Sequence, residues 1–255
     1  MTKKNRKTTA IFAVVLASSL VLGSSPLAGS AQETDASFES YINQLVEKQP
    51  GITKAELELE ISESAKELGM DKQSLAKEAL AELIDKELAA QIEAKETGQL
   101  ISARGGSSGT KKLTKANQRG DVFYTPSSTL GISHGHNGIY YTTDYIVESI
   151  PKSGVRKIHY TGRNVEKNAV MQSVKTSQAN RNAAANWANS RVGDSYSYNF
   201  ATNRATSTTG AKNCSKLVWS AYKLKANIDI DADKGAGVYP VDIRDSSYTV
   251  TYKKL

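Results

Sequence analysis

One cysteine in 255 residues fixes how this chain can hold itself together. Cys214 has no partner within the chain, so no intrachain disulfide can brace the fold. Stability must come from buried apolar surface. This matters because the N-terminus reads as an export signal. Lys3, Lys4, Arg6 and Lys7 form a basic stretch, and Ala10 to Gly23 is apolar but too short to span a bilayer. Ala28-Gly29-Ser30-Ala31 then offers small residues for cleavage, which predicts a signal peptide over 1–31. No cysteine stands near that point, so a lipid anchor is not expected. No second apolar span follows, so the mature chain is expected to carry no integral membrane segment and to be secreted. An exported chain that keeps one thiol directs attention to that thiol as a reactive group.

Charge divides the mature chain. Residues 32–100 hold 16 acidic against 7 basic residues, a net of −9; residues 101–255 hold 22 basic against 10 acidic, a net of +12. The acidic part is patterned for helices. Ala36 to Lys48 sets Phe38, Tyr41, Ile42 and Leu45 on one stripe. Pro50-Gly51 ends it. Thr53 with Glu56 forms a capping box for a second helix that Gly69 closes. Asp71 caps a third helix to about Glu96, with a stripe of Leu75, Leu80, Leu83, Ile84 and Leu88. The Leu68-Gly69-Met70-Asp71 junction has the look of a helix-turn-helix, but a segment this acidic does not bind phosphates, so no nucleic acid is expected. Residues 101–118, with Gly105-Gly106-Ser107-Ser108-Gly109, read as a flexible linker.

The basic part, 119–255, is large enough for its own core and alternates like strands. Gly120-Asp121 turns into a strand at Val122-Phe123-Tyr124. Gly138 to Tyr141 and Tyr145 to Glu148 form a hairpin about Thr142-Thr143-Asp144. Val155 to Tyr160, Val238 to Val241 and Tyr248 to Tyr252 read as further strands, and Gln178 to Arg191 as a helix. Cys214 opens another helix, with Asn213 as its cap and Leu217, Val218 and Tyr222 on one face. A thiol in a first turn meets the positive helix end, which favours thiolate. It is equally a small buried apolar residue.

The hairpin supplies partners for the thiol. A symmetric turn about residue 142 sets His136 directly opposite Glu148, with Cβ atoms ~4.5–5.5 Å apart. His136, Glu148 and Cys214 then have the types of a Cys-His-acid triad, in which the acid orients the imidazole and the imidazole serves the thiol. A surface histidine and a solvated carboxylate are the plainer readings. His134, two residues earlier and nominally on the same face, is the competing base; His159 reads as structural. With three histidines and one cysteine, and no Cys-x-x-Cys or His-x-x-x-His, neither metal nor cofactor is expected. No Gly-x-Ser-x-Gly elbow marks a serine nucleophile. The run Asp229-Ile230-Asp231-Ala232-Asp233 lacks the glycine and distant glutamate of a calcium loop and reads as solvated.

These segments resemble a known family. Gly120-Asp121-Val122, His136-Asn137-Gly138-Ile139-Tyr140, Val147-Glu148 and Asn213-Cys214-Ser215-x-Leu217-Val218-Trp219-x-Ala221-Tyr222 are similar to the permuted NlpC/P60-type papain-like enzymes, in the YiiX/YycO-like branch. The order His, acid, Cys is the mark of permutation. The resemblance covers about Arg119 to Tyr252 and implies an α+β fold, a small antiparallel barrel-like sheet with the cysteine helix packed on it. Asn213 departs from the aromatic residue found there in many relatives. By resemblance Cys214 is the nucleophile, His136 the base and Glu148 its partner. The implied activity is a secreted cysteine hydrolase, an amidase or endopeptidase acting on cell-wall peptides. A lipid acyl hydrolase or acyltransferase of the same fold, or an idle wall-binding protein, are the alternatives. The Cys214 N–H is the oxyanion donor expected from the helix start; a second is not assigned. A basic domain suits an anionic wall polymer as partner. Charge complementarity further predicts intramolecular docking of 32–100, weakened by salt, which would either shield the cleft or add solubility; an independent helical module is the alternative.

Overall fold

The computed structural model describes residues 37–97, 109–129, 132–204 and 210–255. The proposed signal peptide lies outside the described residues, as does the linker up to 108.

Three helices come first. α1 (Phe38–Lys48) is capped by Ser37 and buries Tyr41, Ile42 and Leu45. α2 (Lys54–Leu68) opens on the Thr53–Glu56 capping box and closes on left-handed Gly69. α3 (Lys72–Thr97) starts at Asp71, whose Oδ1 accepts from Ser74 N at 3.0 Å. Its buried stripe ends earlier than the sequence suggests. Leu75, Leu80 and Leu83 are covered, together with Ala76 and Ala79, but Ile84 and Leu88 are exposed.

The strands follow. They are β1 (Lys111–Lys112), β2 (Val122–Thr125), β3 (Ser128–Thr129), β4 (Ile132–Ser133), β5 (His136–Tyr140), β6 (Tyr145–Ile150), β7 (Gly154–His159), β8 (Asn164–Val165), β9 (Val170–Val174) and β10 (Thr249–Lys254). Six of them make one antiparallel sheet in the order β10-β9-β2-β5-β6-β7. The later helices are α4 (Gln178–Asn189), α5 (Cys214–Ala226) and α6 (Pro240–Asp245).

Strand alternation divides the sheet's side chains between two cores. Val122, Ile139 and Val147 pack against Leu217, Val218, Ala221 and Tyr222 of α5 and the alanines of α4. Phe123, Tyr140, Ile146 and Met171 face the other way, onto Leu113, Ala116 and Val165. Residues 109–118, read as linker, are therefore part of the fold: β1 pairs with β8, and Leu113 is buried.

The segment 238–241 is not a strand. Pro240 opens α6, with Asp242 Oδ2 accepting from Tyr239 N at 2.9 Å. Proline at a first helical position loses no hydrogen bond there and has its φ preset. The Asp229–Asp233 run is not solvated either. Arg204 pairs with Asp229 and Asp231, Trp219 Nε1 donates to Asp229 at 2.9 Å, and Lys86 pairs with Asp233 at 2.6 Å.

The helices at the front pack directly on the sheet domain. Their inward residues, among them Leu45, Leu57, Ile61 and Leu83, share one apolar cluster with Phe200, Ala201, Cys214 and Tyr239. Polar contacts ring this centre. Ser64 Oγ donates to Thr202 O at 3.1 Å, Asn199 Nδ2 to Glu60 at 2.5 Å, and Gly237 N to Glu82 at 3.0 Å. Arg244 pairs with Glu93 at 2.7 Å, whereas Lys86 reaches back the other way to Asp233 and Asp242. Burial of apolar surface dominates this contact, with ion pairs of both senses at its rim.

Candidate active site

The site forms where two paired strands part. β5 and β6 pair at Ile139↔Val147 and Tyr140↔Ile146 and then separate, although β5 extends to His136 and β6 to Ile150. The chain entering α5 fills the gap, and Ser149 Oγ donates to Lys212 O at 2.5 Å. Tyr140 N donates to Asp121 O, on the β2 side. By alternation the Asn137 N–H points into the gap, where it acts on the Cys214 thiol.

A buried amide network fixes the start of α5. Asn213 Oδ1 accepts from Lys216 N at 2.9 Å and its Nδ2 donates to Asn199 O at 2.8 Å. Ser215 Oγ donates to Val238 O at 2.6 Å, and Asn203 exchanges bonds with Val238 N (2.6 Å) and O (2.9 Å). This accounts for a polar residue before the cysteine: Asn213 is fully buried and both ends of its side chain are bonded.

His136 and Glu148 meet, but not as directly opposed residues. The observed register continues to place Glu148 opposite Gly138, two residues along β5 from His136, because the turn centres on 143 rather than 142. The cause is the loop: both Tyr141 N and Thr142 N donate to Tyr145 O, which shifts its centre to 143. His136 and Glu148 are thus diagonal neighbours on one face. The Phe123 ring packs directly on Gly138 between them, where an added Cβ would lie 2.6 Å from the ring, so only glycine fits at that position. His136 Nε2 donates to Glu148 Oε2 at 2.7 Å. In a neutral imidazole this leaves Nδ1 unprotonated, the form that can accept a thiol proton.

Glu148 is wholly buried and tied on every side. Its Oε1 accepts from Arg156 Nη2 (2.6 Å) and Nε (3.0 Å), and Arg163 Nη1 lies 3.3 Å from Oε2. Burial by itself would raise its pKa; the charge of Arg163, the His136 hydrogen bond and the charge of Arg156 outweigh it and hold the carboxyl down at about 2. Sequence reasoning missed both arginines. Arg156 stands directly across β6–β7 from Glu148, which the second hairpin could have revealed; Arg163 follows a short 3₁₀ turn and leaves no sequence signal.

The thiol is not a thiolate in this arrangement. Cys214 is 1% exposed, and burial pushes it up to about 12 despite the N–H groups of Asn137 and Ser215 and the charge of Arg163. Burial outweighs the helix end, contrary to the expectation from position in the first turn. His136 is pushed down to about 4 by burial and then by Arg163, against the opposing bond to Glu148. No hydrogen bond joins the Cys214 sulfur to His136 among the described residues. The pair rests neutral.

His134 takes a different place. Gly135, at φ +79°, breaks the alternation, so His134 leaves the strand and stacks on Phe200 at 3.8 Å between ring centroids. Its Nδ1 donates to Gly135 O at 2.8 Å, and Nε2 is buried without a partner. A cleft of about 340 Å³ between α3 and α6 has His134, Tyr124 and Arg244 on its wall; His136, Glu148 and Cys214 do not line it. His159 lies at the far end of β7, exposed and stacked on Tyr160. Among the described residues, Glu82, Asp233 and Asp242 bring carboxylate oxygens within 4.8 Å of one another, but the Lys86 ammonium already stands between the two aspartates.

Burial lowers the His134 pKa from 6.5 to about 4, so the folded chain prefers it neutral. The stability this gives is present above pH 6.5 and is lost as pH falls toward 4. His134→Gln should therefore flatten the fall in unfolding free energy between pH 6.5 and 4, by an amount of order 1–3 kcal/mol, seen as a shallower fall in Tm. An unchanged slope in a pH series of melts would contradict this.

A cysteine at a helix start, following in the chain a His–Glu pair on neighbouring antiparallel strands, defines the permuted papain-like class. Residues 107–252 match the family described as permuted papain-like amidase enzyme, YaeF/YiiX, C92 family, and the chain belongs to it. It is 47% identical over 212 residues to the uncharacterized protein YycO of Bacillus subtilis (strain 168), covering 83% of this chain and 85% of that one. Among solved structures, metalloprotein yiiX from Escherichia coli O157:H7 aligns with TM-score 0.40 and 15% identity, over 54% of this chain and 97% of that one. At family level the chain is a papain-like cysteine amidase. No described helix is long and apolar enough to cross a membrane.

Proposed function

We propose that this protein is an exported cysteine amidase that cleaves an amide bond in cell-wall peptides, with Cys214 as nucleophile, His136 as base and Glu148 as its orienting acid. The buried His136–Glu148 hydrogen bond carries the reading, because it leaves Nδ1 with the lone pair that a thiol needs. Substrate entry or opening of the site brings Nδ1 within reach of the sulfur; such bonds are often long in unliganded enzymes. The thiol proton passes to His136 as sulfur bonds to the carbonyl carbon. The C–N bond then breaks, and His136 returns the proton to the leaving amine. Water, losing its proton to His136, releases the acyl group and restores the thiol. The backbone N–H of Cys214 is the oxyanion donor at the helix start. The signal-like N-terminus and the +12 charge of residues 101–255 favour an anionic wall polymer as the substrate's setting.

The test is product analysis. The mature chain is incubated in parallel with purified cell wall and with phospholipid vesicles, and products are read by mass spectrometry. New amine and carboxyl ends on muropeptides are expected. Released fatty acid would replace the reading with a lipid hydrolase, and binding to wall without any product would replace it with a binding protein.

A further inference from the structure

The residue that follows α1, Gln49, is 1% exposed although it is polar and belongs to the helical front. Its carboxamide reaches into the sheet domain. Oε1 accepts from two successive backbone N–H groups, Phe200 at 2.8 Å and Ala201 at 3.1 Å, while Nε2 lies 3.5 Å from Leu45 O. Two successive N–H groups converging on one oxygen form a small receptor for a carbonyl or carboxylate.

The receptor is attached to both halves of the proposed site. The Phe200 ring stacks on His134, two residues before His136. Asn199 O, immediately before the receptor, holds the side chain of Asn213, immediately before Cys214. Cys214, Phe200 and Ala201 lie in the same apolar cluster as Ile42, Leu45 and Leu57 of the front helices. The helices therefore help to close the surroundings of the thiol, and the group they place on the receptor is itself an amide.

We infer that the Phe200 and Ala201 N–H pair is a subsite for the carbonyl of an amide substrate, and that the Gln49 carboxamide occupies it as an internal mimic that keeps the site closed. The inference rests on the amidase reading given above. It makes the helical front a plug that must yield before substrate enters. Removing the acceptor leaves two buried N–H groups unpaired, which weakens closure.

The test uses the full mature chain and the rate of Cys214 alkylation by iodoacetamide, which is unambiguous in a protein with one cysteine. Gln49→Met keeps the side chain's length but cannot accept in the same way, and should alkylate roughly 10- to 100-fold faster. Ser64→Ala, which removes a different bond between helix and sheet domain, should stay near the parent rate. In Gln49→Ala, which leaves room for a small amide, added propionamide should slow alkylation again, and it should not do so in the parent. Equal rates in Gln49→Met and parent, with both melting cooperatively, would overturn the plug. Faster alkylation without propionamide protection would overturn the carbonyl subsite. If Gln49→Met does not melt cooperatively, hydrogen exchange in the unmodified chain carries the test: the Phe200 and Ala201 amides must open with the same free energy as the thiol, and unequal values overturn the inference. Failure of the amidase reading shows separately, as absent turnover in chains whose alkylation and protection behave as expected.

Discussion

Replacing Cys214 by alanine is expected to abolish turnover, by on the order of 10⁴-fold or more, while the fold persists. The chemical ground is that no covalent acyl intermediate can form without the sulfur. The structural ground is that the change is small. Cys214 is buried in an apolar cluster, so losing one atom there costs about 1 kcal/mol, far less than unfolding. The amide network at the helix start runs through Asn199, Asn203, Asn213, Ser215 and Val238, none of which is touched. The variant should therefore keep a cooperative melt within a few degrees of the parent. Turnover by purified Cys214→Ala within tenfold of the parent would remove the thiol from the mechanism. The resting thiol is held near 12 by burial, so the parent should alkylate slowly until the site opens, and slow labelling of the closed chain is not evidence against catalysis.

Local features of this fold were legible where local chemistry decides them. The Thr53–Glu56 box, the Gly69 stop and the Asn213 cap each depend on residues a few positions apart, and each appears where the sequence puts it. What escaped depends on distant partners. The hairpin was displaced by one residue because Tyr145 O takes two donors, a detail of loop hydrogen bonding rather than of residue type. The thiol's ionisation was misjudged because a helix end is visible in sequence but burial by other segments is not. Val238–Val241 carries strand-forming residues, yet Pro240 beside Asp242 starts a helix once Tyr239 is anchored in the shared cluster. Net charge, −9 against +12, conveys nothing of where Phe200 and Tyr239 will meet Leu45 and Leu83. Arg163, which presses on Glu148, His136 and Cys214 together, has no sequence mark because its role depends on the turn that aims it.

That convergence makes Glu148 the most consequential position after the thiol. Its carboxylate is fully buried and is the shared partner of His136, Arg156 and Arg163. Arg163 is itself only 7% exposed. Glu148→Ala leaves that guanidinium without its anion in a buried place, and breaking such a group by removing one partner costs about 3–5 kcal/mol. It also frees the imidazole to rotate and to change tautomer, which costs roughly 10³- to 10⁴-fold in turnover. Glu148→Gln separates the two effects. It keeps the shape and one acceptor oxygen, so it should lose less stability than alanine, but without the charge it cannot stabilise imidazolium, and most of the rate loss should remain. Acid behaviour checks the electrostatic part. Because the folded pKa is depressed to about 2, the stability that Glu148 contributes is present above pH 4.5 and is lost as pH falls toward 2. The parent should thus lose stability steeply in that window, and Glu148→Gln, having nothing to protonate, should lose it less steeply. If parent and Glu148→Gln show the same acid slope and the same turnover, Glu148 is a packed polar residue and the triad has a different third member.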